Sequence, residues 1–323
     1  IQAAHARGIA VLFDFVPNHV HDQNERYLQH ASDGWFNDGP ATCVCGTSGC
    51  GWDQHIQTCW FADYLPDVRW QSDEAMKTTL DDVRFWMDTF DADGIRIDAV
   101  PMMPRLATRR MALALRESHA PREALFSIGE VFTGAGKEGT DAMRYFLGPD
   151  GLGGAFDFPL AWALRGSIAQ GNAAGFEDIE KTLAYSEQAL AGSGTVLGRM
   201  VDNHDMPRFL SEATANANGN AWSNPAPDPA DAAPYDRLLV ALGLVMTLPG
   251  LPVLYYGDEV GLAGGTDPDN RRVLPEEGAL SLSQRRVLDG TRRLGRLRAC
   301  SSALKAGNRK AFLTTKRTYG FTR

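Results

Sequence analysis

Asp14-Phe15-Val16-Pro17-Asn18-His19, Gly94-Ile95-Arg96-Ile97-Asp98, Gly129-Glu130-Val131-Phe132 and Asn203-His204-Asp205 each close a short, largely apolar run. The runs Ile9 to Phe13, Leu125 to Ile128 and Leu197 to Val201 read as buried parallel strands. One polar cluster at the C-terminal end of a strand is ordinary. The same arrangement on successive strands is how a β/α barrel builds an active site on one face. Carboxylates and imidazoles gathered in this way point to acid–base or nucleophilic chemistry on a neutral, hydroxyl-rich substrate.

Composition agrees with that reading. The 323 residues are 44% hydrophobic and 22% charged, as in an ordinary soluble globular protein, and are enough for one barrel of about 250 residues. The formal charge of −8, with no basic run or face, argues against nucleic acid or an anionic membrane as partner. Leu238 to Tyr256 carries no charge and approaches the length of a membrane span. Pro249-Gly250-Leu251-Pro252 interrupts it, so it is expected to form a buried helix, a tight turn and a buried strand, with no membrane span.

Cys43, Cys45, Cys50 and Cys59 crowd one segment, and Cys300 stands apart. The four are open to two disulfides in any of three connectivities, or to a tetrahedral zinc site. The single residue between Cys43 and Cys45 is short for a zinc knuckle, which favours disulfides, and with them a secreted or periplasmic location. Cys300 is expected to be a buried free thiol or to pair outside this chain.

Outward from the strand ends, Ala4-His5-Ala6-Arg7-Gly8 reads as the last turn of a helix with its Gly stop. Residues 20–70 have no helical period and are too long for a plain loop, so they are expected to form a small inserted domain. Ser72-Asp73-Glu74 caps a helix in which Met76, Leu80, Val83, Met87 and Phe90 form the apolar stripe. A strand over Gly94 to Val100 and a helix from about Leu106 to Ser118 come next. Strands are expected at Leu125 to Val131, Gly154 to Phe158, Leu197 to Asp202 and Pro252 to Tyr256. Such alternation means a parallel sheet. Glu212 to Tyr235 is a long loop, read either as shaping the cleft or as a disordered surface insertion. Ala311 to Thr315 and Thr318 to Arg323 read as a strand pair.

These stretches, in this order, resemble the signature regions of the α-amylase family, glycoside hydrolase family 13. Leu65-Pro66-Asp67 resembles its loop-domain motif, Ala155-Phe156-Asp157-Phe158-Pro159-Leu160 its sixth strand, and Gly250 to Glu259 its eighth. The resemblance implies an α/β fold, a (β/α)8 TIM barrel with strands 3 to 8 present and a small inserted domain after the third strand. Residues 1–19 and 71–305 are then the barrel, 20–70 the inserted loop domain, and 306–323 the start of a C-terminal β domain. On this reading the chain is a fragment without the first barrel strands.

The resemblance also assigns roles. Asp98 is the nucleophile, Glu130 the acid/base and Asp205 the third carboxylate, which binds sugar hydroxyls and distorts the ring. Arg96, two residues before Asp98, shares its side of the strand and holds the carboxylate ionised. His19 and His204 offer donors to sugar hydroxyls. Asn18 and Asp67 match structural calcium ligands, joined by a backbone carbonyl near Met102, and oxygen donors suit that cation. Pro101-Met102 departs from the family pattern, in which Lys-His often follows the nucleophile. Asp267-Pro268-Asp269-Asn270-Arg271-Arg272 resembles a loop of oligosaccharide-acting branches; the other reading is a surface turn with a solvated Arg pair. Three functions are open: a retaining hydrolase of α-1,4 bonds in starch or maltooligosaccharides, a transglycosylase or isomerase using the same intermediate, or a non-catalytic glycan-binding or transporter-associated barrel.

Overall fold

A computed structural model describes residues 1–39, 43–117 and 125–323. They fall into two compact units, the first built from residues 1–132, 142–156 and 190–196, the second from residues 133–141, 157–189 and 197–323.

In the first unit, strands β1 (Leu12–Phe15), β2 (Gly94–Ile97), β3 (Phe126–Gly129) and β4 (Gly154–Phe156) pair in parallel, in chain order. Register sets the neighbours across this ladder: Asp14 lies beside Arg96, and Arg96 beside Ile128. Gly94 permits the close approach of β2 to β3, since a Cβ there would lie 1.9 Å from the Phe126 carbonyl oxygen. Ser72 caps the helix Asp73–Phe90 as expected, accepting from the Ala75 N–H. Met76, Val83 and Met87 of the expected stripe are buried, whereas Phe90 is exposed and stacks on Trp86 beside Phe13. The helix Arg105–Glu117 matches the next expectation; its expected last residue, Ser118, lies outside the described residues.

The segment from 20 to 70 contains short helices at Glu25–His30 and Trp52–His55 and isolated bridges pairing His19 with Asp67 and Phe36 with Val68. Its cysteines form two disulfides, Cys43–Cys50 and Cys45–Cys59, which settles connectivity and removes the zinc alternative. Cys300, the last residue of the helix Leu282–Cys300, is free and exposed, not buried.

In the second unit, β5 (Val196–Arg199) and β6 (Leu251–Pro252) pair in parallel. Its core joins Leu160, Leu164, Leu183, Phe209, Leu242 and Val245. The helix Ala233–Thr247, a turn at Gly250 with φ 117° and β6 resolve the long uncharged run. Among the described residues no helix is long and apolar enough to cross a membrane. Strands β7 (Lys310–Thr314) and β8 (Tyr319–Thr322) form an antiparallel hairpin. The successive parallel strands and intervening helices are those of a partial (β/α)8 barrel.

The strands are shorter than expected, for local reasons. β2 ends at Ile97 because Ala99 adopts a left-handed φ of 47°. Beyond β5, Asp202 leaves the ladder and its carboxylate accepts from the Phe209 N–H at 2.6 Å. β6 stops at Pro252, since Tyr255 donates its N–H to the Asp258 carboxylate at 3.1 Å and begins a turn. The loop after the helix Phe209–Glu212 is tied down: Thr266 donates to the Gly219 carbonyl at 2.9 Å, and Ala226 to Asp269 at 2.9 Å. That argues against a disordered insertion.

Candidate active site

In the first unit the parallel register places three acidic side chains on one guanidinium. Arg96 donates through Nη1 to Asp14 at 2.8 Å and to Asp98, and its Nη2 lies 3.2 Å from Glu130 Oε1. Burial opposes the Arg96 charge, but Glu130, Asp98 and Asp14 outweigh it and raise its pKa. The sequence pattern pairs Arg96 with Asp98 alone; Asp14 and Glu130 come from the strands on either side of β2. Asp98 and Glu130 are largely shielded, with side chains 19% and 9% exposed, whereas Asp14 is 58% exposed.

Backbone geometry links the two shielded carboxylates. Asp98 donates its N–H to the Phe15 carbonyl at 2.9 Å, and Glu130 donates its own to the Ile97 carbonyl at 2.8 Å. The left-handed turn at Ala99 then aims the Ala99 N–H at Glu130 Oε2, 3.0 Å away. A non-glycine residue in that region costs about 1–3 kcal/mol and persists where the surroundings impose it. An ionised carboxylate, a second carboxyl group and a fixed cation so arranged can carry nucleophilic and acid–base chemistry.

His19 stacks on Phe61 at 5.2 Å. Burial lowers its imidazole below the ordinary pKa, against the pull of Asp98. Its Nδ1 is buried without a hydrogen-bond partner among the described residues. A neutral ring with an unanswered nitrogen suits a hydroxyl ligand better than a satisfied core histidine.

Asn18 and Asp67 lie together, fully buried. Asn18 Nδ2 donates to Asp67 at 3.0 Å, and Asn37 Nδ2 donates to it at 2.6 Å. Burial pushes the Asp67 carboxyl up to about 8, although the amides of Asn37 and Asn18 pull it down. Asn18 Oδ1 has no hydrogen-bond partner among the described residues, and Met102 Sδ lies 3.8 Å from Asn18 Nδ2. No group of three or more His, Cys, Asp or Glu suited to a metal occurs among the described residues. Even so, a carboxylate without a countercharge and an orphan amide oxygen are hard donors of the kind calcium takes.

In the second unit, Asp205 pairs with His204 Nε2 at 3.0 Å and Arg271 Nη2 at 3.3 Å. Arg271 also meets Asp267 at 2.7 Å, and Arg272 is bound to Asp269 at 2.7 Å. Asp269 and Asn270 are buried while Asp267 and Arg271 are exposed, so residues 267–272 form a surface loop anchored through its middle, with both arginines engaged by carboxylates rather than simply solvated. Beneath it, the fully buried Arg208 lies 3.8 Å from the Tyr255 ring centroid and 3.4 Å from Asp258. Burial raises the pKa of both Asp202 and Asp258, and Asp258 is raised further by its neighbour Asp202. Arg165, on a π-helical turn at Arg165–Ala169, donates to the Val201 and Pro207 carbonyls at 3.3 and 3.0 Å. Sequence reasoning missed Arg165 and Arg208, and named Asn270 only as part of the 267–272 loop. The dipeptide Asn270-Arg271 was the available signal, and nothing local marked the other two.

Residues 1–294 match the alpha amylase catalytic domain. A cyclomaltodextrin glucanotransferase of Niallia circulans is 28% identical over 85% of this chain and 36% of its own length. Neopullulanase 2 of Thermoactinomyces vulgaris is 26% identical over the whole chain and 51% of its length. The crystal structure of an alpha-amylase from Geobacillus thermoleovorans complexed with acarbose superposes with a TM-score of 0.79 at 25% identity, covering 99% of this chain and 64% of that one. The chain thus spans about a third to two thirds of the length of these proteins. With six ordered motifs, a parallel α/β fold and a match over most of its length, the chain belongs to the alpha-amylase family, whose members act on glycosidic bonds.

Proposed function

We propose that the chain carries out retaining cleavage of α-1,4-glucosidic bonds in starch or maltooligosaccharides. The observation that carries this reading is Arg96 bound to Asp98 and Glu130 at once, with the Ala99 N–H on Glu130. Asp98 attacks the anomeric carbon while Glu130 gives its proton to the departing glycosidic oxygen. A glycosyl ester forms at Asp98, and the leaving sugar departs as the alcohol. Glu130, now ionised, takes a proton from water, whose oxygen displaces Asp98 and restores both groups. Arg96 keeps Asp98 ionised before attack and steadies it again as it leaves. Asp205 is the third carboxylate, and His19 and His204 bind sugar hydroxyls.

Asn18 and Asp67 would hold a structural calcium ion, which supplies the countercharge that Asp67 lacks. The inserted domain (20–70), the barrel (1–19 and 71–305) and the beginning of a C-terminal domain (306–323) complete the proposed organisation. The two disulfides favour an oxidising, secreted or periplasmic setting. Thiol titration of the denatured, unreduced full-length protein should leave Cys43, Cys45, Cys50 and Cys59 unlabelled.

Asp98→Asn in the full-length enzyme should abolish turnover without lowering the melting temperature by more than a few degrees. Glu130→Gln should lose starch hydrolysis but recover in part on an aryl glycoside, whose leaving group needs little protonation. An Asp98→Asn enzyme turning over near the wild-type rate sinks the assignment, and so does an equal Glu130→Gln loss on both substrates. The relationship to cyclomaltodextrin glucanotransferases favours transfer to a sugar acceptor as the second reading. Products longer than the supplied maltooligosaccharide would establish it.

A further inference from the structure

Asp205 stands on a loop with no strand ladder of its own, between two peptide carbonyls that one distant side chain takes together. Asn270, fully buried, donates through Nδ2 to the His204 carbonyl at 2.7 Å and to the Met206 carbonyl at 2.9 Å. Its own carbonyl accepts from Arg208 Nε at 2.8 Å, and Arg208 is fixed against Tyr255 and Asp258. The next residue, Arg271, reaches the Asp205 carboxylate itself.

We infer that Asn270 is a positioning residue for Asp205, holding the peptide that leads into Asp205 and the one that follows Met206. This rests on the proposed role of Asp205. The two hydrogens of one planar amide span both carbonyls, so neither the His204–Asp205 peptide nor the Met206–Pro207 peptide can rotate without breaking a bond, and the segment bearing Asp205 is pinned at both ends. Asn270 Oδ1 is meanwhile buried without a partner among the described residues, a cost that an apolar residue of the same shape would avoid. What only Asn supplies here is the pair of donors. A displacement of about 1 Å in a group that acts on the transition state costs about 10²-fold in rate, so the loss should appear in kcat.

The test is a double-mutant cycle of Asn270→Leu with Asp205→Asn in the full-length enzyme, read as hydrolysis of a nitrophenyl maltooligosaccharide. Asn270→Leu alone should lower kcat about 10²-fold with KM changed by less than about threefold. In the Asp205→Asn background the same substitution should cost less than about twofold, since its effect passes through a carboxylate already gone. Asn270→Ser, which keeps a single donor, should lie between wild type and Leu, and it carries the same cycle if the Leu variant fails to fold. Equal fractional losses in both backgrounds overturn the inference and leave Asn270 a merely structural residue. If Asp205→Asn alone turns over near the wild-type rate, the role of Asp205 fails first and the inference falls with it, a result readable before any Asn270 variant is made.

Discussion

Asp98 and Asp205 differ in what holds them. Asp98 comes directly after a strand whose ladder fixes its backbone, and its carboxylate meets a guanidinium two residues earlier that is only 12% exposed. Asp205 sits on a loop, 42% exposed, beside an Arg271 that is 43% exposed. There the backbone is clamped rather than the side chain, by an amide 66 residues from His204 in sequence. Direct charge pairing in a shielded place is strong and local; the exposed pair is weak, and the loop relies on buried polar supports instead.

Of the groups that hold these two carboxylates, Arg96 should therefore show the larger effect. Arg96→Gln leaves Asp14, Asp98 and Glu130 close together without their cation. It should lower kcat by about 10³-fold or more and destabilise the protein by about 3–5 kcal/mol, as removal of one partner of a shielded ion pair does. Arg96→Lys keeps the charge but not the fork that serves all three groups, so it should recover stability before activity. Steady-state kinetics with thermal melts measure both. A loss below about tenfold would break the contrast with Asp205.

Arg271→Gln should be milder, at most about fivefold in kcat, because a half-exposed pair contributes only about 0–1 kcal/mol. Salt sharpens the comparison. At 1 M the Debye length falls to about 3 Å, so high ionic strength should weaken the Arg271–Asp205 contact while leaving the shielded Arg96 cluster nearly unchanged. The ratio of wild-type to Arg271→Gln rates should then approach one as salt is added. A ratio that stays constant would show that Arg271 does not act through charge on Asp205.

The same contrast decides how much could be read in advance. Arg96 and Asp98 share one strand, so their alternation alone put them on one side; Asp14 and Glu130 joined them through register, which no single strand encodes. The short strand ends escaped because they depend on particular turns, such as left-handed Ala99 and the Asp258 carboxylate on the Tyr255 N–H. Arg165 and Arg208 escaped because their partners are backbone carbonyls and buried acids far away in sequence, and nothing in a local window marks a side chain for that task; Asn270 was marked only as part of its loop, without its carbonyl partners. The cysteine cluster announced disulfides but left their pairing open, since spacing limits partners without choosing among them.

Asp67 is a third way of holding a carboxylate, with neither a cation nor a peptide clamp, and the smallest effect is expected there. Two neutral amides contact it, and burial pushes its pKa up to about 8 from an ordinary 3.8. Without a cation the native protein then binds a proton at neutral pH that the unfolded chain does not. A raised native pKa gives stability that is fully present below about pH 4 and is lost as pH climbs through about 8. Calcium bound by Asp67 and Asn18 would hold the carboxylate ionised and remove that slope. Binding at pH 6 should accordingly release about one proton per ion, and at pH 9.5 almost none. Titration calorimetry in two buffers of different ionisation enthalpy counts that proton directly, and Asp67→Asn should abolish the release while leaving the Arg96 cluster intact. Calcium binding with no proton released at pH 6 would place the ion away from Asp67, and melting curves indifferent to both calcium and chelator would remove it from this protein.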